Sequence, residues 1–191
     1  MSNQRRIQTK VTTKMKTLTT HINEALKIGK DISSFSKYSC RPADKKELEK
    51  IINERISKEG NNCNLNDIDT SLITDMSHLF RNTEFNGDIS EWNVSNVTDM
   101  SWMFCNSIFN GDISNWDVSS VKNAHLMFYM SKFNGDISDW NTSNMEDMTW
   151  MFAVTKFTGD ISKWIIKDGC DTREMFKFCS IKKAHKPVAL Q

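Results

Sequence analysis

The sequence predicts an α/β solenoid, a right-handed stack of 24-residue units closed at its N-terminal end by a helical cap. Three observations predict this fold class. Short motifs recur at a constant step of 24 residues, aromatic residues recur with them, and a segment with helix-start and helix-stop signals precedes the first unit. Self-similarity at a fixed step of about 20–50 residues is typical of solenoids and related repeat architectures.

The repeat is clearest in the motif FNGDIS, which begins at Phe85, Phe109 and Phe133 and returns as FTGDIS at Phe157. Two aromatic series keep the same step: Trp92, Trp116, Trp140 and Trp164, and Phe80, Phe104, Phe128, Phe152 and Phe176. Weaker copies of the unit lie before and after these motifs. Residues 73–80 match residues 97–104, and residues 170–176 are a less regular copy of the same segment. We therefore expect a repeat domain over residues 65–180, with four to five coils.

Each unit combines two periodicities. The apolar positions Phe85, Ile89 and Trp92 predict one short strand after a glycine turn. Val97, Met100 and Phe104 have the i, i+3, i+7 spacing of one helical face and predict a short helical turn. One strand and one helical turn in about 20–29 residues is the plan of a leucine-rich repeat, in which stacking buries the apolar residues of neighbouring units.

Residues 1–64 are predicted to form a helical N-terminal segment and cap. A cap helix over about 44–58 is indicated by Asp44 and Glu47 at its start, Gly60 beyond its end, and a stripe that includes Leu48 and Ile52. A second amphipathic helix is predicted over about 8–29, and residues 1–30 carry seven basic side chains against one acidic one. It either packs on the cap helix or binds an anionic surface or a partner groove. Residues 181–191 are expected to be a frayed tail.

The full unit, FNGDIS-x-W-N-V-S-N-V-T-D-M-S-x-M-F, resembles the repeat of BspA-like leucine-rich-repeat proteins, which include many bacterial surface lipoproteins. The resemblance covers roughly residues 65–180. It implies a curved solenoid used as an adhesion or protein-interaction surface, with no catalysis attached to the repeat.

Composition restricts the location and the chemistry. No apolar run approaches the length of a membrane span, and residues 1–21 lack the apolar core of a secretory signal. Five cysteines without metal-ligand spacing indicate a reduced chain. We expect a cytoplasmic monomer, with the cell surface as the location that the resemblance implies instead. No constellation for catalysis or phosphate binding is present, so we expect neither an enzyme nor a bound cofactor or metal.

One carboxylate recurs in every FNGDIS-type motif: Asp88, Asp112, Asp136 and Asp160. Stacking would align these side chains, and the repulsion between them must then be compensated. We expect nearby backbone amides to do so, which makes these residues formers of turns. Calcium bridging is the functional alternative, although one aspartate per coil supplies few ligands.

Variable positions indicate where a partner binds. The residue before Met-Phe varies and includes His78, Trp102 and Trp150, and Tyr129 follows the same segment in another unit. Such aromatic residues either form the centre of an interface or fill gaps between coils. Beside the predicted strand, a second variable position carries Glu91, Asn115, Asp139 and Lys163. We expect a protein partner at one of two faces. One is the strand face, where these four positions lie beside Asp88, Asp112, Asp136 and Asp160, and the other is the edge that carries Trp102, Trp150 and Tyr129.

The charge map supplies an alternative function. Residues 65–164 hold 14 acidic and five basic side chains, although the whole chain carries only +1. An acidic solenoid can mimic nucleic acid and inhibit a host or defence protein that has a basic site. Cell-surface adhesion is a second alternative, which rests on the family resemblance. Nucleic acid itself is not expected as a ligand except through the basic residues 1–30.

Overall fold

A computed structural model describes residues 37–191 of the chain. The chain divides into two compact units, Met1–Ser39 and Cys40–Gln191, and the fold described below is that of the second unit. The amphipathic helix predicted over 8–29 lies outside the described residues.

The first element of the second unit is α1, a 15-residue α-helix over Lys45–Glu59. Its N-cap, Asp44, accepts a hydrogen bond from the Glu47 amide at 2.9 Å, and the Glu47 carboxylate accepts one from the Ala43 amide at 2.7 Å. This arrangement resembles a capping box, except that the Glu47 carboxylate bonds the residue before the N-cap instead of the N-cap itself. The helix ends at Gly60, whose φ of 89° is accessible to a residue without Cβ.

One face of α1 closes the apolar interior of the first repeat unit. Leu48 and Ile52 are fully buried and belong to the same continuous core as Leu65 and Ile68. Arg55 fixes the far end of the helix, because its guanidinium lies 3.0 Å from the Asp67 carboxylate. The side chains of α1 therefore supply the contacts that a preceding coil supplies to each interior unit.

After α1, successive units lie in parallel register. Residues one repeat apart form isolated parallel bridges, which link Asn64 to Asp88, Asp75 to Asp99, Asp99 to Asn123, Asn123 to Asp147, and Asp147 to Asp171. A further bridge joins Cys40 to Ile68 ahead of the first unit. Each contact is a single bridge, so the described residues contain no extended strand.

The predicted helical turn over 97–104 is wrong: no helix occurs between α1 and residue 183. Five turn segments take its place, at 75–82, 99–106, 123–130, 147–154 and 171–178. Within them, alternate N–H groups donate to the next unit, as Met76 does to the Asp99 carbonyl at 2.8 Å and Phe80 to the Met103 carbonyl at 2.9 Å. These donors are used between units and are therefore not available for a helix.

The predicted strand around Phe85–Trp92 is also reduced, since only Asp88 in this segment forms a bridge. The glycine before it permits close packing and is not part of a left-handed turn, because no positive φ occurs at Gly87. A methyl group on Gly87 would lie 2.0 Å from the Cys63 carbonyl oxygen and 2.7 Å from the Phe85 ring. Glycine is needed here because the chain passes directly over its neighbour.

Aromatic rings stacked from unit to unit form the core. Phe80, Phe104 and Phe128 lie with successive ring centroids 5.6 Å apart, and Trp92 and Trp116 are 6.5 Å apart. The indole N–H of each repeat tryptophan donates to a carbonyl of the preceding unit, at 2.9–3.1 Å. The stack therefore buries large apolar surfaces without leaving the indole donors unpaired.

The end of the chain packs on the last unit and is not a frayed tail. Two short 3₁₀ helices, Lys183–His185 and Val188–Leu190, lie in this segment. Ile181 is buried, and the Ile161 N–H donates to the His185 carbonyl at 2.9 Å. The segment therefore covers the half of the last unit that contains Trp164. Across residues 37–191, no helix is both long enough and apolar enough to span a bilayer.

Candidate interaction surfaces

The outer side of the five turn segments, here called the turn face, has an unusual backbone. Two residues in every segment have φ between 50° and 63° although they are not glycine. The first column comprises His78, Trp102, Leu126, Trp150 and Glu174, and the second comprises Asn82, Asn106, Met130, Val154 and Phe178. The three site residues predicted before Met-Phe, His78, Trp102 and Trp150, all lie in the first column.

This conformation follows from consecutive tight turns. The Met103 N–H donates to the Met100 carbonyl at 3.2 Å, which makes Trp102 the third residue of a four-residue turn. A positive φ at the third position is the mark of a type II turn, where glycine or asparagine is preferred. The repeat nevertheless carries tryptophan, leucine, valine or phenylalanine at several of these positions.

Trp102 lies in a cluster of rings and cations. The His78 ring stacks on its indole with a centroid separation of 5.8 Å, and the Arg81 guanidinium lies 4.3 Å from the indole centroid. The His125 ring meets it edge-on at 5.7 Å. Partial desolvation of the ring by its neighbours, together with the charges of Lys45 and Arg81, lowers the pKa of His78.

Trp150 has a similar but smaller set of neighbours. The Tyr129 ring lies edge-on at 6.1 Å, and the Lys177 ammonium lies 5.0 Å from the ring centroid of Trp150. Trp102, Tyr129 and Trp150 are half-buried, whereas His78 is exposed. Both tryptophans are thus held in place by neighbours and still present part of their surface to solvent.

A shallow groove separates the two tryptophans. Leu126 occupies the intervening unit and is only 8% exposed, so the surface dips between Trp102 and Trp150. The groove has a volume of about 290 Å³, and its remaining walls are His125 and Tyr129. The turn face therefore brings together Trp102, Trp150 and Tyr129 around one apolar depression.

The repeated aspartates have a different role. The Asp112 carboxylate accepts hydrogen bonds from the Ser114 amide at 2.9 Å and the Ser114 hydroxyl at 2.7 Å. Asp88, Asp136 and Asp160 accept the same bond, each from the amide of the serine two residues later, at 2.9–3.0 Å. These bonds lower the pKa of Asp112 despite repulsion from the carboxylates on either side. The expected compensation by nearby amides is confirmed, and the four carboxylates are turn formers.

The second variable position is more exposed to solvent than the position of Trp102 and Trp150. Glu91, Asn115, Asp139 and Lys163 all project into solvent. Lys163 and Asp139 form an ion pair of 3.8 Å between side chains that are 78% and 85% exposed. A pair this exposed contributes little to stability. In residues 37–191 no group of three or more histidine, cysteine, aspartate or glutamate side chains is arranged to hold a metal ion.

Sequence reasoning missed a second polar row, which runs through the bridge positions Asp75, Asp99, Asn123, Asp147 and Asp171. The Asn123 amide donates to Asp99 at 3.2 Å, so a neutral donor interrupts the line of carboxylates. At the ends, Lys45 lies 3.3 Å from Asp75 and Arg173 lies 2.6 Å from Asp171. The constant step of these residues is present in the sequence, but the pairing of Lys45 and Arg173 with the two ends of the row could not be predicted from it.

Taken together, the parallel bridges, the stacked rings and the turn face define a repeat protein of stacked 24-residue units. The family described as "Mycoplasma protein of unknown function, DUF285" matches residues 46–164 and 130–186, and the chain belongs to this family. This membership supports a relation to the BspA-like repeat proteins at the level of the family, without defining the details of the repeat. No curated protein and no solved structure was found to match the chain.

Proposed function

We propose that this chain is a non-catalytic binding protein whose turn face binds a protein partner. We also propose that its units form a right-handed leucine-rich-repeat-like solenoid, which α1 caps. The observation that carries the proposal is the choice of residue at the left-handed positions. Trp102, Leu126, Met130, Trp150 and Val154 all adopt φ between 55° and 60°.

The left-handed conformation costs roughly 1–2 kcal/mol for a residue with Cβ. Asparagine tolerates it better, and the second column has asparagine at Asn82 and Asn106. The bulky residues thus occupy positions where smaller ones fit the backbone more easily. Strained positions of this kind cluster at functional sites. Partly exposed tryptophan and tyrosine are also the residues that dominate interface energies.

Gap filling is the competing explanation for Trp102 and Trp150. The buried stack, however, is already complete without them, because Met100, Met103 and Phe104 are fully buried in the same segment. The two indoles instead contact other residues of the turn face. We therefore favour binding.

Cysteine chemistry gives no support to an enzyme. Burial raises the pKa of Cys63, Cys105 and Cys170, which moves these thiols away from the thiolate form needed for attack. The His125 ring contacts the Thr149 hydroxyl, but Thr149 is buried and donates to Asp147 at 2.6 Å. The Thr149 hydroxyl is therefore already engaged as a donor to a carboxylate.

The acidic balance of residues 65–164 supports a second candidate, an inhibitor that mimics nucleic acid. Its binding to a basic site would weaken steeply with added salt, whereas an aromatic interface would persist. The engagement of Asp88, Asp112, Asp136 and Asp160 by serine donors favours a structural role for that row and makes the inhibitor the weaker candidate.

Affinity capture from lysate of the native host tests the proposal. The bait is the full chain, compared with Trp102→Asn/Trp150→Asn, in which both new residues tolerate a positive φ. Lys163→Ser, at the second variable position, is the matched control. We expect a partner that survives high salt, is retained by the control, and is lost with the double variant. A partner that binds the double variant equally well contradicts the proposal, and loss at moderate salt favours the inhibitor.

A further inference from the structure

The last turn segment, 171–178, ends the stack with a row of unused backbone donors. In the preceding segment, four alternate amides donate across the interface to 171–178 at 2.7–3.2 Å: Met148, Trp150, Phe152 and Val154. The corresponding amides one unit later are those of Thr172, Glu174, Phe176 and Phe178. We call these four N–H groups the terminal edge. Among the described residues, none of the four has an acceptor.

The two halves of this end of the molecule differ. The half that contains Trp164 is covered by the C-terminal segment, through the bond from the Ile161 N–H to the His185 carbonyl. The turn half is less covered: Lys186 lies over the Phe176 ring, Thr172 and Phe176 are half-buried, and Phe178 beside them is 78% exposed. An uncovered row of backbone groups is a template for pairing with another chain.

The terminal edge has donors without matching acceptors. The carbonyls of Thr172, Glu174 and Phe176 already accept from the amides of Met175, Lys177 and Cys179 at 3.1 Å. Two copies of the edge therefore cannot pair with each other, because donor would face donor. The carbonyls of an ordinary β-strand satisfy only part of the row, since its own N–H groups alternate with them, so acidic side chains are needed to supply the remaining acceptors. The complementary ligand is one rich in acceptors.

The chain around the edge has an excess of cations. Residues 165–191 hold six basic and three acidic side chains, in contrast to the acidic units before them. Within the row Arg173 pairs with Asp171 at 2.6 Å and Lys177 with Glu174 at 3.2 Å, and the Lys186 ammonium lies 5.0 Å from the Phe176 ring centroid. Lysine on an edge opposes pairing with a neutral strand, and the same charge attracts an anion.

We propose that the terminal edge binds an extended, acidic segment of a partner protein. The backbone carbonyl and carboxylate oxygens of that segment accept from the four free amides, its charge faces Arg173 and Lys186, and an apolar side chain contacts Phe178. This site lies at the end of the stack and does not depend on the function proposed for the tryptophans of the turn face.

Amide chemical shifts of the ¹⁵N-labelled full chain test the proposal. The probe is a short peptide of alternating glutamate and valine, and the control peptide alternates glutamine and valine. We expect the glutamate peptide to shift the amides of Thr172, Glu174, Phe176 and Phe178, and to bind at least about tenfold more tightly than the control, because the charge attraction is lost in glutamine. Equal binding of the two peptides, or no shift at these four amides, overturns the proposal.

Variants separate this site from the turn face. Arg173→Gln/Lys186→Gln is expected to weaken the glutamate peptide about tenfold, whereas Lys122→Gln, a charge removed from an interior unit, leaves it unchanged. Trp102→Asn/Trp150→Asn is expected to keep full peptide binding even if it loses the partner of the turn face. Inorganic phosphate that shifts the same amides as strongly as the peptide would contradict an extended ligand and assign a small anion site instead.

Discussion

At the residue scale, each tryptophan of the repeat both packs and donates. Trp116 is 4% exposed, stacks on Trp92, and gives its indole N–H to the Ile89 carbonyl at 3.1 Å. The loss of either contribution leaves a defect inside the stack, because the ring packs against Trp92 and Phe104 and its acceptor belongs to the buried Ile89.

Trp116→Phe should therefore lower the free energy of unfolding by about 2–4 kcal/mol, through a cavity and the loss of one of the two hydrogen bonds that the Ile89 carbonyl accepts. Urea unfolding followed by far-UV circular dichroism measures this loss. Trp102→Phe, outside the stack, is the control and should change stability by less than about 1 kcal/mol. Equal losses at the two positions would contradict the distinction between core and turn face.

Glycines of the repeat differ in how closely they are packed, although the sequence shows them as equivalent. A methyl group on Gly87 would lie 2.0 Å from the backbone oxygen of Cys63. At Gly135, it would meet the Phe133 ring at 3.0 Å and the Gly111 oxygen only at 3.6 Å. A ring can shift more easily than a backbone carbonyl.

Gly87→Ala should consequently destabilise the protein by about 3 kcal/mol or more, and Gly135→Ala by about 1 kcal/mol. Thermal unfolding of the two variants beside the parent compares them directly. The reverse order would show that the first unit does not pass over residues 61–63 as closely as described.

At the element scale, α1 was predictable because its signals are local. Asp44, Glu47 and Gly60 act within a few residues of each other, so the sequence contains the whole capping arrangement. The turn segments were mispredicted because Val97, Met100 and Phe104 have helical spacing while their backbone N–H groups bond elsewhere. The Met100 amide donates to the Asn123 carbonyl at 2.9 Å, a partner that periodicity does not reveal.

Removal of the N-cap tests the contribution of α1. Asp44→Ala should lower stability by about 1 kcal/mol, because the Glu47 amide loses its acceptor. Asp44→Ser should restore most of the loss, since serine also caps helices. Chemical denaturation of both variants measures the difference, and a serine variant as weak as the alanine variant would argue against a capping role.

At the scale of the whole molecule, the repeated carboxylates make stability depend on pH. Serine donors lower the pKa of Asp88, Asp112, Asp136 and Asp160 in the folded state. A group whose folded pKa is below its unfolded value of about 4 stabilises the fold above that value and loses this contribution as pH falls.

The free energy of unfolding should thus decline somewhat below about pH 6.5, where the lowered pKa of His78 makes protonation favour the unfolded chain, and fall further below about pH 4. Urea titrations across this range measure the profile. Asp112→Asn/Asp136→Asn should flatten the acid limb relative to the parent. An acid limb that is unchanged in the variant would mean that other carboxylates dominate the acid sensitivity.

The 24-residue step and the separation of charge along the chain were both predictable from the sequence, because they are sums over residues. The two candidate surfaces could be predicted only in part. Trp102, Tyr129 and Trp150 were identified from their variability, but their left-handed backbone and the groove over Leu126 depend on hydrogen bonds between units. The terminal edge was not predicted, since almost every residue has a backbone N–H and the sequence does not show which of these groups lack an acceptor.

The central claim is that Trp102 and Trp150 are retained for binding at some expense of stability. The most direct measurement is the free energy of unfolding of Trp102→Asn/Trp150→Asn beside the parent chain. We predict that the variant is as stable as the parent or more stable, because asparagine adopts a positive φ with less strain. A loss of more than about 2 kcal/mol would contradict the claim and make the two tryptophans part of the structural core.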